Sequence, residues 1–229
     1  TASSGLAADL VAWIRGENNV PAADAGQELF VGSWKDGATV KTLGTTGARH
    51  SMHGDVLHSR PVALNYGDGT VMVYYGTNDG YFRAINGNKT GTGAGQEAWS
   101  LVLPEFFDMI KRQRAGTPGL FLPETDSSGA TIAPLAGYAA KDYAMDGPIT
   151  FYQKIGEKVY LYAAMRRGGR ALYAFNVTDP ASPSLLWKVD HNTAGLSALG
   201  QTWSEARVTR IVPSTEEADP VIIMGGIVL

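Results

Sequence analysis

Apolar residues in this chain recur at helical spacing near the start and thereafter come mostly in short runs divided by turn formers. Over residues 6–15 (LAADLVAWIR), Leu6, Leu10, Val11 and Ile14 fall on one helical face, with Ser4 as N-cap and Gly16 as a stop. The spacing predicts one short opening helix. Residues 17–53 are polar and glycine-rich, with brief apolar pieces such as Glu28 to Trp34, and predict no regular element. They read as a loop packed across a larger body.

From residue 62 the pattern changes to strands: Val62 to Leu64, Val71 to Tyr75, Tyr81 to Ile85, Ile149 to Gln153, Val159 to Met165, Ala171 to Phe175, Leu185 to Val189, Ala206 to Val212 and Val221 to Met224. Each run is rich in Val, Ile, Tyr or Phe, and turn formers such as Gly67-Asp68-Gly69, Asn78-Asp79-Gly80 and Gly168-Gly169 divide them. Antiparallel hairpins follow directly.

The runs also repeat. GDVLHSRPVAL from Gly54, VMVYYGTNDGYFRAIN and Trp99 are echoed by DGPITF from Asp146, VYLYAAMRRGGRALYAFN and Trp187. Pro61 and Pro148 are 87 residues apart, Ala84 and Ala174 are 90, and Trp99 and Trp187 are 88. A third unit begins at Gly200 with GQTWSEARVTRI and carries Ala206 where the first two have proline. A propeller blade needs about 40 to 50 residues, so the spacing requires an insertion. Pro104 to Arg114 supplies it as a helix with Phe106, Phe107 and Ile110 on one face, followed by a Gly/Pro/Ser-rich loop over 115–142. Each unit is three strands plus a closing strand that bears Trp, as a β-propeller blade is written.

Ala84-x-Asn86 through to Trp99, and Ala174-x-Asn176-x-Thr178-Asp179 through to Trp187, resemble the tryptophan-docking repeat of quinoprotein-type propellers. Trp99 and Trp187 are therefore expected as core or blade-interface residues. The expected fold is all-β, a partial β-propeller of quinoprotein-like blades with a short N-terminal helix and an inserted helix and loop near 104–145. Residues 1–53 form a helix and loop packing on residues 54–229. Because an open propeller exposes strand edges, and 229 residues hold about three to four blades, the chain is expected to be part of a longer protein.

Composition narrows the chemistry. Charged residues are 18% of the chain, hydrophobic ones 44%, and the net charge is −3, so neither disorder nor a nucleic-acid partner is expected. Zero cysteines remove thiolate metal sites, thiol nucleophiles and disulfides. The longest apolar stretch, Val221 to Leu229, is about half of a bilayer span, so no transmembrane segment is expected.

Candidate sites are few. His50, His53, Asp55 and His58 form the densest group of metal-ligand types, but their spacing matches no zinc signature, and histidines satisfied at a strand entry are favoured. Arg166, Arg167 and Arg170 flank Gly168-Gly169. Such a turn can grip a carboxylate or phosphate, though a solvated hairpin tip or an inter-blade salt bridge is favoured. Gly67-Asp68-Gly69 and Asn78-Asp79-Gly80 read as hairpin turns, since neither extends to a calcium-loop pattern. Asn88-Lys-Thr90 and Asn176-Val-Thr178 fit the glycosylation sequon. No G-x-S-x-G, H-E-x-x-H or phosphate loop occurs, so no catalytic, cofactor or metal residue is assigned.

Five segments taken in order carry a more specific likeness. Trp13-Ile14-Arg15-Gly16, Gly54 to Pro61 (GDVLHSRP), Tyr75 to Gly80 (YGTNDG), Met165 to Ala174 (MRRGGRALYA) and Leu199 to Glu205 (LGQTWSE) resemble the PilC/PilY family of type IV pilus biogenesis and tip-associated adhesion proteins. The likeness is weakest over 17–48 and 105–145. It implies a non-enzymatic protein of the bacterial cell surface, exported through the periplasm to the pilus tip or outer membrane. Minor pilins and the pilus machinery would be its partners, and pilus assembly, twitching motility and attachment to host or abiotic surfaces its roles. The family's calcium loop has no counterpart here, so calcium, if bound, would lie outside these residues. A generic periplasmic or outer-membrane propeller scaffold is the alternative. A quinoprotein dehydrogenase is a distant one, because no quinone clamp can be assembled.

Overall fold

The computed structural model describes residues 7–16, 33–36, 39–42, 53–121, 125–130, 132–133, 136–209 and 220–225. In chain order, the first elements are α1 (Ala8–Ile14), β1 (Ser33–Asp36), β2 (Thr39–Thr42), β3 (Val62–Asn65), β4 (Val71–Gly76), β5 (Tyr81–Asn86) and β6 (Glu97–Val102). A 3-10 turn (Pro104–Phe106) then leads into α2 (Phe107–Ala115), β7 (Gly119–Phe121) and β8 (Tyr138–Ala140). The remainder is β9 (Ile149–Lys154), β10 (Lys158–Ala164), β11 (Ala171–Asn176), β12 (Ser184–Asp190), β13 (Arg207–Thr209) and β14 (Val221–Ile223). Strands dominate, as the alternation predicts. The chain divides into two compact bodies, one of residues 1–54 with 104–142, the other of 55–103 with 143–229.

The first body holds both helices. α1 buries Leu10 and Trp13, and it starts two residues later than the apolar spacing suggests. Its N-cap is Ala7, which makes no side-chain capping bond, while the expected cap Ser4 lies outside the described residues. α2 follows the predicted helix and buries Met109 and Ile110, with Phe106 buried in the turn before it. It ends on Gly116 at φ 65, a left-handed cap that glycine adopts without strain. Asp9 of α1 pairs with Arg114 of α2 at 2.8 Å.

Two pairings arise where the pattern predicts no element. β1 and β2 form an antiparallel hairpin with Trp34 opposite Lys41, inside the stretch read as irregular loop. β7 pairs in parallel with β8 across the Gly-rich insertion. Three- and four-residue strands are too short for a period-two signal to rise above a glycine-rich background.

The second body contains two four-stranded antiparallel meanders, β3-β4-β5-β6 and β9-β10-β11-β12, and the separate pair β13-β14. Their registers repeat. Ala84 on β5 faces Trp99 on β6, Ala174 on β11 faces Trp187 on β12, and in both sheets a register shift follows that alanine. An alanine opposite a tryptophan leaves room for the indole to lie across the sheet, where it meets Tyr74 at 5.8 Å in the first and Tyr162 at 5.9 Å in the second.

The two meanders pack face to face. Phe82 of β5 stacks on Phe175 of β11 at 5.1 Å, and both are buried. Tyr66 donates its hydroxyl hydrogen to the Val177 carbonyl at 2.8 Å and shares a 2.6 Å bond with the Tyr74 hydroxyl. Trp99 donates its indole N–H to the Pro180 carbonyl at 2.7 Å, in the turn after β11. The first indole is thus fixed by the following sheet.

Candidate functional site

The ends of these sheets converge on the segment 144–147, which is buried throughout. Two glycines admit it. A Cβ on Gly76, at the end of β4, would lie 2.2 Å from the Met145 carbonyl oxygen, and one on Gly168 would lie 1.7 Å from that of Ala144. Neither position tolerates a side chain without backbone movement.

Asp146 carries the only carboxylate of that segment. It is 1% exposed, receives a hydrogen bond from Asn78 Nδ2 at 3.2 Å, and faces His58 Nδ1 at 2.9 and 3.1 Å from its two oxygens. Asn78 Nδ2 also reaches Asp55 at 3.0 Å, while its Oδ1 accepts the Ala144 amide at 3.2 Å. Four side chains, those of Asp55, His58, Asn78 and Asp146, are thereby linked, as a buried carboxylate requires.

Of the histidine-rich group, His58 and Asp55 therefore meet through Asn78 and Asp146. His53 Nδ1 bonds the Gly54 carbonyl at 2.6 Å, and His50 lies outside the described residues. Among the described residues no group of three or more His, Cys, Asp or Glu could hold a metal ion. Asp146 escapes a sequence reading because it lies 88 residues from His58. That separation equals the Trp99 to Trp187 repeat, which is the signal that could have found it.

Both Gly/Asp turns close hairpins. Asp68 accepts the Thr70 amide at 2.8 Å, which holds its carboxyl below the usual carboxylate range, with Gly67 and Gly69 at φ 87 and 93. Asp79 accepts the Thr77 hydroxyl and pairs with Arg83 at 3.0 Å, and Arg83 reaches Glu97 at 2.5 Å while lying over the Tyr81 ring. The sequon asparagines Asn88 and Asn176 use their side-chain oxygens to accept the Val71 and Thr178 amides.

The arginine turn is shaped by neighbouring aromatic and hydroxyl groups. Arg166–Gly168 forms a 3-10 turn between β10 and β11 in which Arg166 sits at φ 52, the left-handed region. Thr202, fully buried, holds it there: its hydroxyl accepts the Met165 and Arg166 amides at 3.0 and 3.2 Å and donates to the Ala171 carbonyl at 3.1 Å. Arg170 donates to the Leu199 and Ser197 carbonyls at 2.6 and 3.3 Å. The Arg166 guanidinium lies 4.7 Å over the Trp203 ring, and that of Arg167 lies 4.8 Å over Tyr143 and 5.9 Å from Trp203. Among the described residues neither Arg166 nor Arg167 has a carboxylate partner, and both guanidinium groups lie against aromatic rings.

Trp187 also differs from its expected burial. It is 37% exposed, beside Leu185 and Leu186 at 56% and 40%. With Leu172, Val189, Leu199, Ile222 and Met224 it lines an open cavity of about 380 Å³. Among the described residues no helix is long and apolar enough to cross a membrane.

No protein-family model matches the chain. Over 148 residues, 63% of its length, the chain is 30% identical to the type IV pilus biogenesis factor PilY1 homolog of Xylella fastidiosa, and it spans about a tenth of that relative, 10%. Among solved structures, the crystal structure of the Pseudomonas aeruginosa PilY1 C-terminal domain aligns at a TM-score of 0.42 and 19% identity, over 69% of this chain and 25% of that one.

Proposed function

We propose, from its 30% identity over 148 residues to a type IV pilus biogenesis factor PilY1 homolog, that this chain is a PilY1-family protein and acts in type IV pilus biogenesis as a non-enzymatic, tip-associated surface protein. The 148-residue match carries the reading. In it the chain supports pilus assembly, twitching motility and attachment, reaches the cell surface through the periplasm, and works through contacts with minor pilins and the pilus machinery.

At the loop end, His58, Asp146, Asn78 and Asp55 bind one another and so brace the turns there. The two meanders are read as consecutive blades of a propeller, supported by the repeated Ala–Trp pairing and by Trp99 anchored on the sheet that follows.

Affinity-tagged protein, expressed from its own locus and cross-linked in piliated cells, is expected to co-purify with minor pilins. Recovery without any pilin, under conditions that retain a known pilin–pilin pair, would contradict the proposal.

A further inference from the structure

The β10–β11 turn holds a strained arginine pair that, among the described residues, has no carboxylate partner. A non-glycine residue at positive φ costs about 1 kcal/mol or more and persists only where its surroundings impose it. Glycines stand two and three positions further on, so glycine is available to this turn, yet position 166 carries arginine. What the turn gains at that position is a guanidinium over Trp203.

Arg166 and Arg167 are adjacent and like-charged, and Trp203 lies within 6 Å of both guanidinium carbons. Glu205, the acid nearest to Trp203 in sequence, pairs with Arg60 at 3.5 Å instead. Arg167 is exposed and Arg166 half-buried, so solvent reaches the pair. We propose that Arg166 and Arg167, stacked on Trp203 and Tyr143, form a binding site for carboxylates of an acidic peptide segment.

The turn's spent amides favour carboxylate over phosphate. With the guanidinium carbons over aromatic rings, the N–H donors of each fork are available for the two parallel bonds that a planar carboxylate accepts. A phosphate nest would need consecutive free turn amides as well, and three of them are spent: Met165 and Arg166 on Thr202, Gly168 on the Met165 carbonyl at 2.9 Å.

A hexaglutamate peptide titrated into the whole chain by calorimetry tests this, beside inorganic phosphate and a phosphoserine peptide of equal charge. Hexaglutamate is expected to bind, and the doubly substituted R166K/R167K protein, which keeps the charge but loses the planar fork, to bind roughly tenfold more weakly. Arg166→Gly, which relieves the strain, is expected to weaken binding similarly while leaving the melting temperature unchanged or higher, so loss of binding is separable from misfolding. Equal affinity of wild type and R166K/R167K, phosphate or phosphopeptide binding as tight as hexaglutamate, or no hexaglutamate binding at millimolar concentration would overturn the assignment.

Discussion

Asp146 illustrates how much one residue can hold. Its carboxylate is buried between His58 and Asn78, so Asp146→Ala strips both donors of their acceptor. The expected loss is about 2 to 3 kcal/mol, read as a lower urea midpoint at unchanged slope. Arg83 is comparable: its side chain is 6% exposed and spans Asp79 and Glu97, and Arg83→Met is expected to cost about 3 kcal/mol by removing the cation between two carboxylates, of which Asp79 is half-buried or deeper. Tyr66 and Tyr74 give a pH signature. Burial, and for Tyr74 also the bond to Tyr66, push both hydroxyls above the ordinary tyrosine range. The unfolded chain ionises near pH 10 while the folded one stays protonated, so it is the unfolded state that binds fewer protons and stability falls as pH rises past 10. For each tyrosine the slope rises from near zero at about pH 9 toward a limit of about 1.4 kcal/mol per pH unit above about pH 11, and Tyr66→Phe is expected to make it shallower in urea titrations between about pH 9 and 11.

At the scale of elements, the two indoles are sequence equivalents in unequal surroundings. Trp99 donates to Pro180 and contacts Tyr74 and Phe82, whereas Trp187 is 37% exposed and contacts Tyr162. Trp99→Phe is expected to cost at least about 1 kcal/mol more than Trp187→Phe in paired thermal melts, because only the first forfeits a bond between sheets. Equal losses would mean that Trp187 is anchored as well. Legibility also divides at this scale. Strands β3 to β5 and β9 to β12 stand within two residues of where Val-, Ile- and Tyr-rich runs place them, since both meanders alternate or bury their central strands over five or more residues. The hairpin β1–β2 and the pair β7–β8 were invisible because they are only three or four residues long and depend on partners distant from any periodic signal. The arginine turn was legible as a basic cluster. Its character was not, because Tyr143, Thr202 and Trp203 reach it from segments that no spacing connects to it.

For the whole molecule, repetition explains more than composition. Sheets that place alanine opposite tryptophan at the same step, with the first indole secured by the second sheet, make a unit that extends by adding another of its kind. Such a body offers loop ends and sheet faces to other proteins, which suits a role in building a fibre. The most direct measurement is made in the bacterium that encodes this chain, by deleting its gene and scoring surface type IV pili by electron microscopy alongside twitching-zone diameter. The account predicts loss or strong reduction of both, restored by the gene in trans. Normal piliation together with normal twitching in the deletion strain would contradict it.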